Sequence, residues 1–244
     1  MKLQTPIQIK DVENDGNSIR QHYSEYEATF VILHPFLKIK DSSDIKFITG
    51  KWPTKEEIVK NTTRLTWTEI VDEAQLNDIN ELDRLLAFLH CARRTADKAS
   101  WIKLMTVIDK NNYVVAQVDN YPEILTNPTL ELLKSYGYDK VLHYSDISEE
   151  RTTYNIQDLI DNKNSLPGSH TRILTPDNKI LFETDFDDRF TYLSSDRKTI
   201  DDVVERLDLE GFYCNDNTKS YWSYKEQNKN LIDWDSEERN KNYA

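Results

Sequence analysis

The sequence ILFETDFDDRFTYLSS, residues 180–195, contains two runs of β-branched, aromatic and apolar residues on either side of an acidic turn. If Phe186-Asp187-Asp188 form the loop, Asp185 faces Arg189 and Glu183 faces Thr191 across two antiparallel strands. This register gives the pair of strands one mostly polar and one mostly apolar face. The stretch therefore predicts a β-hairpin and, with it, an antiparallel sheet.

The same acidic cluster has a second interpretation. Carboxylates at Asp185, Asp187 and Asp188 are ligands that a hard cation prefers. The cluster lacks the glycine and the closing glutamate of an EF-hand loop. The hairpin is thus the favoured interpretation, a cation site is the alternative, and we expect neither a metal nor a cofactor.

Strand and helix signals precede this hairpin. Thr29-Phe-Val-Ile-Leu33 predicts a buried strand that ends at His34-Pro35, because proline cannot donate to a ladder. Thr54-x-x-Glu57 and Thr66-x-x-Glu69 are capping-box patterns, which are typical of helix starts.

The centre of the chain is predicted to be helical. Apolar residues recur at helical spacing over 78–95 and over 98–109. The run 113–118 predicts a strand. Asn127-Pro128 predicts the opening of a further helix, and Gly137 predicts its end.

The last part of the chain is richer in strand signals. The predicted strands cover 140–144, 151–154, 171–174, 180–185 and 189–194. A helix over 197–208, capped by Ser195 or Asp196, follows them. Helices segregated from strands predict an α+β fold, in which a helical N-terminal and central part packs on a mostly antiparallel mixed sheet. We expect a single domain over 1–244, with a possible division near 137 into helical-rich 1–137, strand-rich 138–224 and a polar tail over 225–244.

Composition restricts the classes of function. The 244 residues carry 43 acidic and 31 basic side chains, a net charge of −12, which disfavours binding to nucleic acids and to anionic membranes. No apolar run approaches the ~20 residues of a membrane span, and the first ten residues lack a secretory signal. We therefore expect a cytoplasmic protein with no membrane association.

Glycine and cysteine usage is equally informative. The five glycines are widely spaced, so the chain contains no glycine-rich phosphate loop and no Gly-x-Ser-x-Gly elbow. Cys91 and Cys214 are far apart and belong to no Cys-x-x-Cys pair, which favours two reduced thiols.

Several residues are candidates for a site, each with a structural alternative. His34, His143, Asp185 and Asp187 could assemble a catalytic site, although buried histidines and hairpin loops explain them equally. Arg93 and Arg94 could clamp an anion or could stabilise the end of a helix. Tyr213, Tyr221 and Trp222 could anchor a protein partner or could pack in the core.

A wider resemblance concerns most of the chain. Residues 180–197, Leu209-Glu-Gly-Phe-Tyr-Cys214 and Tyr221-Trp222-Ser223 resemble an uncharacterised family of hypothetical proteins. The segments 30–36 and 137–158 are similar too. The family occurs mostly in spore-forming Gram-positive bacteria and has no assigned activity. The resemblance implies a bacterial, cytoplasmic protein and transfers no functional residue.

Three functions are compatible with these features. The first is a non-enzymatic binding or interaction protein, of the kind that an immunity or inhibitor protein represents, with an acidic surface for a protein partner. The second is a hydrolase-like enzyme with a site built from distant His and Asp residues. The third is a small-ligand sensor with a pocket. The sequence does not define the oligomeric state.

Overall fold

The computed structural model describes residues 18–48, 51–90, 95–115, 118–144, 151–166, 171–184, 188–218 and 231–233. Within them are eight helices: α1 Ile19–His22, α2 Lys55–Asn61, α3 Trp67–Glu73, α4 Ile79–Leu89, α5 Lys98–Asn111, α6 Glu123–Ser135, α7 Ile156–Ile160 and α8 Arg197–Arg206. The same residues form twelve strands: β1 Ala28–Leu33, β2 Phe36–Ile39, β3 Thr62–Leu65, β4 Thr95–Asp97, β5 Tyr113–Val114, β6 Lys140–Tyr144, β7 Arg151–Asn155, β8 Arg172–Leu174, β9 Leu181–Glu183, β10 Phe190–Ser195, β11 Gly211–Tyr213 and β12 Leu231–Asp233.

One large antiparallel sheet organises the fold. Its strand order is β11-β1-β10-β9-β8-β6-β7, and every neighbouring pair is antiparallel. Strand β1 lies between β10 and β11, so the sheet joins residues from both sides of position 137. Two small sheets, β3-β2-β5 and β12-β4, accompany it. The predicted α+β class with a mostly antiparallel sheet is confirmed.

Helices cover both faces of the large sheet. Phe30, Leu193 and Phe182 share one face, because they are paired across β1, β10 and β9, and they pack in one core with α6, α7 and α8. We call this side the α6 face. The opposite side, which carries Val31 and Tyr192, packs with α3, α4 and α5, and we call it the α4 face.

The predicted hairpin is present, but its register differs by one residue from the prediction. Glu183 pairs with Tyr192 and not with Thr191. The prediction assumed one polar and one apolar face, whereas helices bury both faces of β9 and most of β10. Asp185, the predicted partner of Arg189, lies outside the described residues, and Arg189 also binds Asp83 of α4. A partner on a distant helix is invisible to a local pattern.

The helix starts follow the capping signals. Thr54 and Thr66 each form a complete capping box, with Glu57 and Glu69 respectively. Asp196 caps α8 by accepting a hydrogen bond from Thr199. These caps confirm the predicted starts of three helices.

Three predicted boundaries were wrong. Helix α6 begins at Glu123, after Pro122, and contains Pro128 in its interior. The predicted opening at Asn127-Pro128 was therefore wrong, since Pro122 directly precedes the first helical residue. Helix α4 ends at Leu89 rather than near 95, where β4 already begins. The strand at 113 is only two residues long within the described part of the chain.

Candidate functional site

The structure does not bring the two candidate histidines together. His34 follows β1 and His143 lies on β6, and both belong to the α6 face. Strands β10, β9 and β8 separate them, which is roughly 19 Å at about 4.8 Å per strand. Asp185 and Asp187, the candidate carboxylates, lie outside the described residues.

His34 is part of a buried hydroxyl chain. Only 3% of the residue is exposed, and its Nε2 lies 2.8 Å from Thr191 Oγ1. Thr191 in turn is hydrogen-bonded to Thr184 Oγ1 at 2.6 Å. The His34 carbonyl accepts a hydrogen bond from Trp67 Nε1. These contacts fix the end of β1 against its neighbours.

His143 is buried as well, with 2% of the residue exposed. Its ring stands perpendicular to Tyr154, with 6.3 Å between centroids. Burial lowers the pKa of His143, so the neutral imidazole is favoured. Nε2 is buried and has no hydrogen-bond partner among the residues that the structure describes.

Of the candidate binding residues, only Tyr213 can be located. Its hydroxyl donates to Asp201 Oδ1 at 2.9 Å, and the Arg197 guanidinium lies 3.4 Å from its ring centroid. Phe30 packs edge-on against the same ring. Internal contacts thus occupy this side chain. Arg93, Arg94, Tyr221 and Trp222 lie outside the described residues.

A polar cleft lies beside Tyr154, close to His143. Its volume is about 730 Å³, within the range of small-molecule sites. It is formed by α2, the start of α6, β7, α7 with the segment after it, and the residue before β8. The lining residues are Lys55, Glu56, Asn120, Tyr121, Glu123, Thr126, Tyr154, Leu159, Asn162, Lys163, Asn164, Ser165, Leu166 and Thr171.

Helix starts position the two central charges of this cleft. The Thr54 cap places Lys55 at the first residue of α2, and Pro122 places Glu123 at the first residue of α6. Trp52 Nε1 donates to Glu123 Oε1 at 3.2 Å, so the segment before α2 lies along the first turn of α6.

Lys55 is half-buried and is held by neutral groups. Its Nζ donates to Asn127 Oδ1 at 2.8 Å and to the Leu159 carbonyl at 2.9 Å. Burial lowers the pKa of Lys55, and the nearby Glu56 partly offsets this effect. An ammonium group has three donors, so one N–H remains for another acceptor.

Glu123 is the acidic counterpart of Lys55 in the cleft. Burial raises the pKa of its carboxyl group, and hydrogen bonds from its own backbone N–H and from Trp52 oppose this. Neither Glu123 nor Lys55 takes part in an ion pair with any described residue. Two half-buried, opposite charges thus face one cleft, and neither has a counter-ion within the part of the chain that the structure describes.

Two ion pairs hold other buried charges among the described residues. Arg189 binds Asp83, with 7% and 13% of the two side chains exposed, and Arg172 binds Glu183. Within the cleft, the exposed Lys163 lies 3.0 Å from Asp161, which neutralises its charge. Lys55 and Glu123 differ from these pairs and resemble the buried Glu210, which is likewise held only by neutral groups of the described residues, the backbone N–H groups of Trp67 and Thr68 and the Thr68 hydroxyl.

Two tyrosines supply aromatic walls. Tyr121 is buried, its hydroxyl lies 2.7 Å from Thr129 Oγ1, and its ring packs edge-on against Phe182. Burial raises the pKa of Tyr121, so the hydroxyl stays protonated. Tyr154 lines the cleft from β7. The cleft therefore combines apolar walls with charged and amide groups.

Sequence reasoning missed this cleft. Lys55, Glu123 and Tyr154 come from three elements that are separated widely along the chain. The capping box at Thr54 and the proline at 122 marked two of its helix starts. No local spacing indicated that these starts lie side by side.

Neither a metal cluster nor a membrane span is found in the described residues. No group of three or more His, Cys, Asp or Glu there could hold a metal ion. No helix among them is sufficiently long and apolar to cross a bilayer.

Comparisons with known proteins give one match. No curated protein and no solved structure matches the chain. A family model described as "Protein of unknown function (DUF2711)" matches residues 15–224. The predicted resemblance to an uncharacterised family is thereby confirmed, and the chain belongs to the family of proteins of unknown function DUF2711.

Proposed function

We propose that this is a binding protein whose ligand is a small polar molecule held in the cleft that Lys55 and Glu123 line. One observation carries the proposal: two half-buried charges of opposite sign face the same cleft, and neither has a counter-ion among the described residues. A bound molecule would supply the missing partners.

The physical argument concerns desolvation. Removing a charge from water costs free energy unless a partner and hydrogen bonds compensate. Among the described residues, Lys55 donates to neutral acceptors only and Glu123 accepts from neutral donors only, so hydrogen bonds compensate the two charges incompletely. Groups with pKa values displaced by burial, together in a cleft, are typical of functional sites.

A thermal-shift screen with a library of polar metabolites tests the proposal. A ligand at ~100 times its Kd adds about 2.7 kcal/mol, which raises Tm by roughly 5–10 °C for a chain of this size. Thr126 lines the cleft, and Thr126→Trp places a bulky side chain in it. This variant should lose the shift.

Thr106→Trp is the matched control. Thr106 is an exposed helical threonine outside the cleft, and its hydroxyl donates to a carbonyl one turn back, as that of Thr126 does. The control should keep the shift. The proposal would be contradicted if no compound raised Tm, or if the compounds that raise Tm did so equally in the Thr126→Trp variant.

The proposal is binding and not catalysis. The hydrolase-like alternative requires chemistry on the bound molecule, for which His143, whose ring packs against Tyr154 of the cleft, is a sequence-predicted candidate. Incubating each hit with the protein and following it by mass spectrometry distinguishes the two. We expect the mass of the ligand to stay unchanged, and a converted ligand would establish an enzyme.

A protein partner is the second candidate function. The supporting observation is the net charge of −12, which favours a basic partner and fits an immunity- or inhibitor-like role. A tagged-protein pull-down at low salt tests it, and the absence of a stoichiometric partner counts against it. For either role we propose a cytoplasmic location, consistent with the free thiol of Cys214. The family resemblance supports a bacterial origin.

A further inference from the structure

The bonding capacity left at Lys55 defines one half of a ligand. Two of its three N–H donors are used, by Asn127 Oδ1 and by the Leu159 carbonyl. Both acceptors are neutral, so the positive charge is hydrogen-bonded but not neutralised. The best partner for the remaining donor is an anionic oxygen, since charge-assisted hydrogen bonds are about twice as strong as neutral ones.

Glu123 defines the other half. Trp52 Nε1 donates a hydrogen bond to Oε1 of the Glu123 carboxylate. No side chain of the described residues donates to Oε2. An indole N–H is a neutral donor, so the negative charge is also left without a counter-ion. A cationic N–H group is the best partner for it.

The two charges lie within reach of one small molecule. Asn127, which binds Lys55, is one helical turn after Glu123 on α6. Residues four apart on a helix have their Cβ atoms about 6 Å from each other and share a face. Because the Lys55 ammonium group is bonded to the side chain of Asn127, it lies beside the face of α6 that carries Glu123, so one compact molecule with both charges can reach the two.

Ligands that carry one charge or none match the charges of Lys55 and Glu123 less well. A simple anion would satisfy Lys55 but would be repelled by Glu123 and by the net negative charge of the protein. A simple cation would be repelled by Lys55. An uncharged sugar would leave both charges uncompensated inside a more desolvated cleft.

We infer that the ligand of the cleft is a zwitterion of the amino-acid type, whose carboxylate binds Lys55 and whose ammonium group binds Glu123. This inference rests on the proposed function and narrows it to one chemical class. Tyr121, Tyr154 and Leu159 offer an apolar surface for the side chain of such a ligand.

Titration calorimetry with the twenty common amino acids tests the inference. The tightest binder is then compared with two analogues, the carboxylic acid that lacks its amino group and the amine that lacks its carboxylate. We expect each analogue to bind at least about tenfold more weakly, because each leaves one buried charge unpaired. This series uses the unaltered protein, so no folding defect can affect it.

Variants assign the two charges to their roles. Lys55→Met should lower the affinity for the amino acid and for the deaminated acid about tenfold. Glu123→Gln should lower the affinity for the amino acid and for the decarboxylated amine about tenfold. Lys110→Met and Glu205→Gln are the matched controls, since both side chains are exposed and lie outside the cleft. Both controls should retain affinity within about threefold.

The outcomes separate this inference from the proposed function. A sugar or another uncharged molecule that binds in the cleft while no amino acid does would overturn the inference and leave the proposed function intact. Equal affinity for an amino acid and its deaminated acid would also overturn it. If no compound binds in the cleft, both fail.

Discussion

Arg189 donates a hydrogen bond from Nε to Oδ1 of Asp83 at 2.7 Å and thereby joins the β9–β10 hairpin to helix α4. Its Nη2 contacts the same oxygen, and both side chains are largely buried. Because the hairpin carries the central strands of the large sheet, this ion pair connects the sheet to a helix of the α4 face.

Asp83→Ala should destabilise the protein strongly. It removes the Asp83 carboxylate from the buried Arg189 guanidinium, and breaking a buried ion pair costs about 3–5 kcal/mol. Urea unfolding followed by circular dichroism measures the change. Lys163→Ala, which removes an exposed ion pair, serves as the control and should leave the midpoint nearly unchanged.

The double variant Asp83→Leu with Arg189→Met tests the cause. If the Arg189 charge causes the loss of stability in Asp83→Ala, removing both charges should restore much of that stability. If the double variant loses as much free energy of unfolding as the two single variants together, packing and not charge dominates at this position.

His90 should make stability fall in mild acid. Burial and the charge of Arg189 lower its pKa from 6.5 to about 4 in the native state. Between these values the unfolded chain binds a proton that the native chain does not, so the free energy of unfolding decreases as pH falls from 6.5 to 4.

Replacing the histidine isolates this contribution. His90→Gln should show a weaker decrease than the wild type over the same pH range, when both are measured by urea unfolding at several pH values. Identical slopes for the two proteins would contradict the assignment.

Gly211 should be nearly irreplaceable. A Cβ at this position would lie 1.9 Å from the Val31 carbonyl oxygen and 2.5 Å from Phe30 Cε1, both on the neighbouring strand β1. Gly211→Ala should therefore separate β11 from β1 and lower the free energy of unfolding by about 3 kcal/mol or more.

Gly137→Ala is the matched comparison for this prediction. A Cβ there meets nothing within 4 Å, but the backbone has φ of +92°. Only backbone strain of about 1–2 kcal/mol is expected. Equal losses at both glycines would contradict the close approach of β11 to β1.

The contribution of Glu123 to stability should depend on pH in the opposite direction to that of His90. Glu123→Gln removes this contribution. The native pKa of Glu123 lies above the usual 4.5, so the native state holds the proton more tightly than the unfolded chain. The Glu123 carboxyl group therefore contributes to the free energy of unfolding below pH 4.5, and this contribution is lost as pH rises through the native pKa. Relative to the wild type, the glutamine variant should gain stability over that rise. A stability difference between the two proteins that stays constant with pH would contradict the raised pKa of Glu123.

Local signals in the sequence were sufficient for much of the fold. Thr54 and Thr66 were predicted as caps and form complete capping boxes, because a cap involves residues only three positions apart. Gly137 was predicted in the left-handed region after α6 and has φ of +92°. Strand β1 includes the whole predicted run from Thr29 to Leu33.

Long-range features were not predictable from these signals. The hairpin register depends on helices that bury both faces of β9, and Arg189 finds its partner 106 positions away at Asp83. The cleft depends on the contact of Trp52 with Glu123, which are 71 positions apart. Such pairings follow from tertiary packing, which one sequence does not display.

The central claim is that Lys55 and Glu123 bind a ligand together in the cleft. The most direct test is a crystal structure grown with the compound that stabilises the protein most in the screen. The account predicts density in the cleft, with an anionic group about 3 Å from Lys55 Nζ and a donor about 3 Å from the Glu123 carboxylate. An empty cleft, with the compound bound at another surface, would contradict the account.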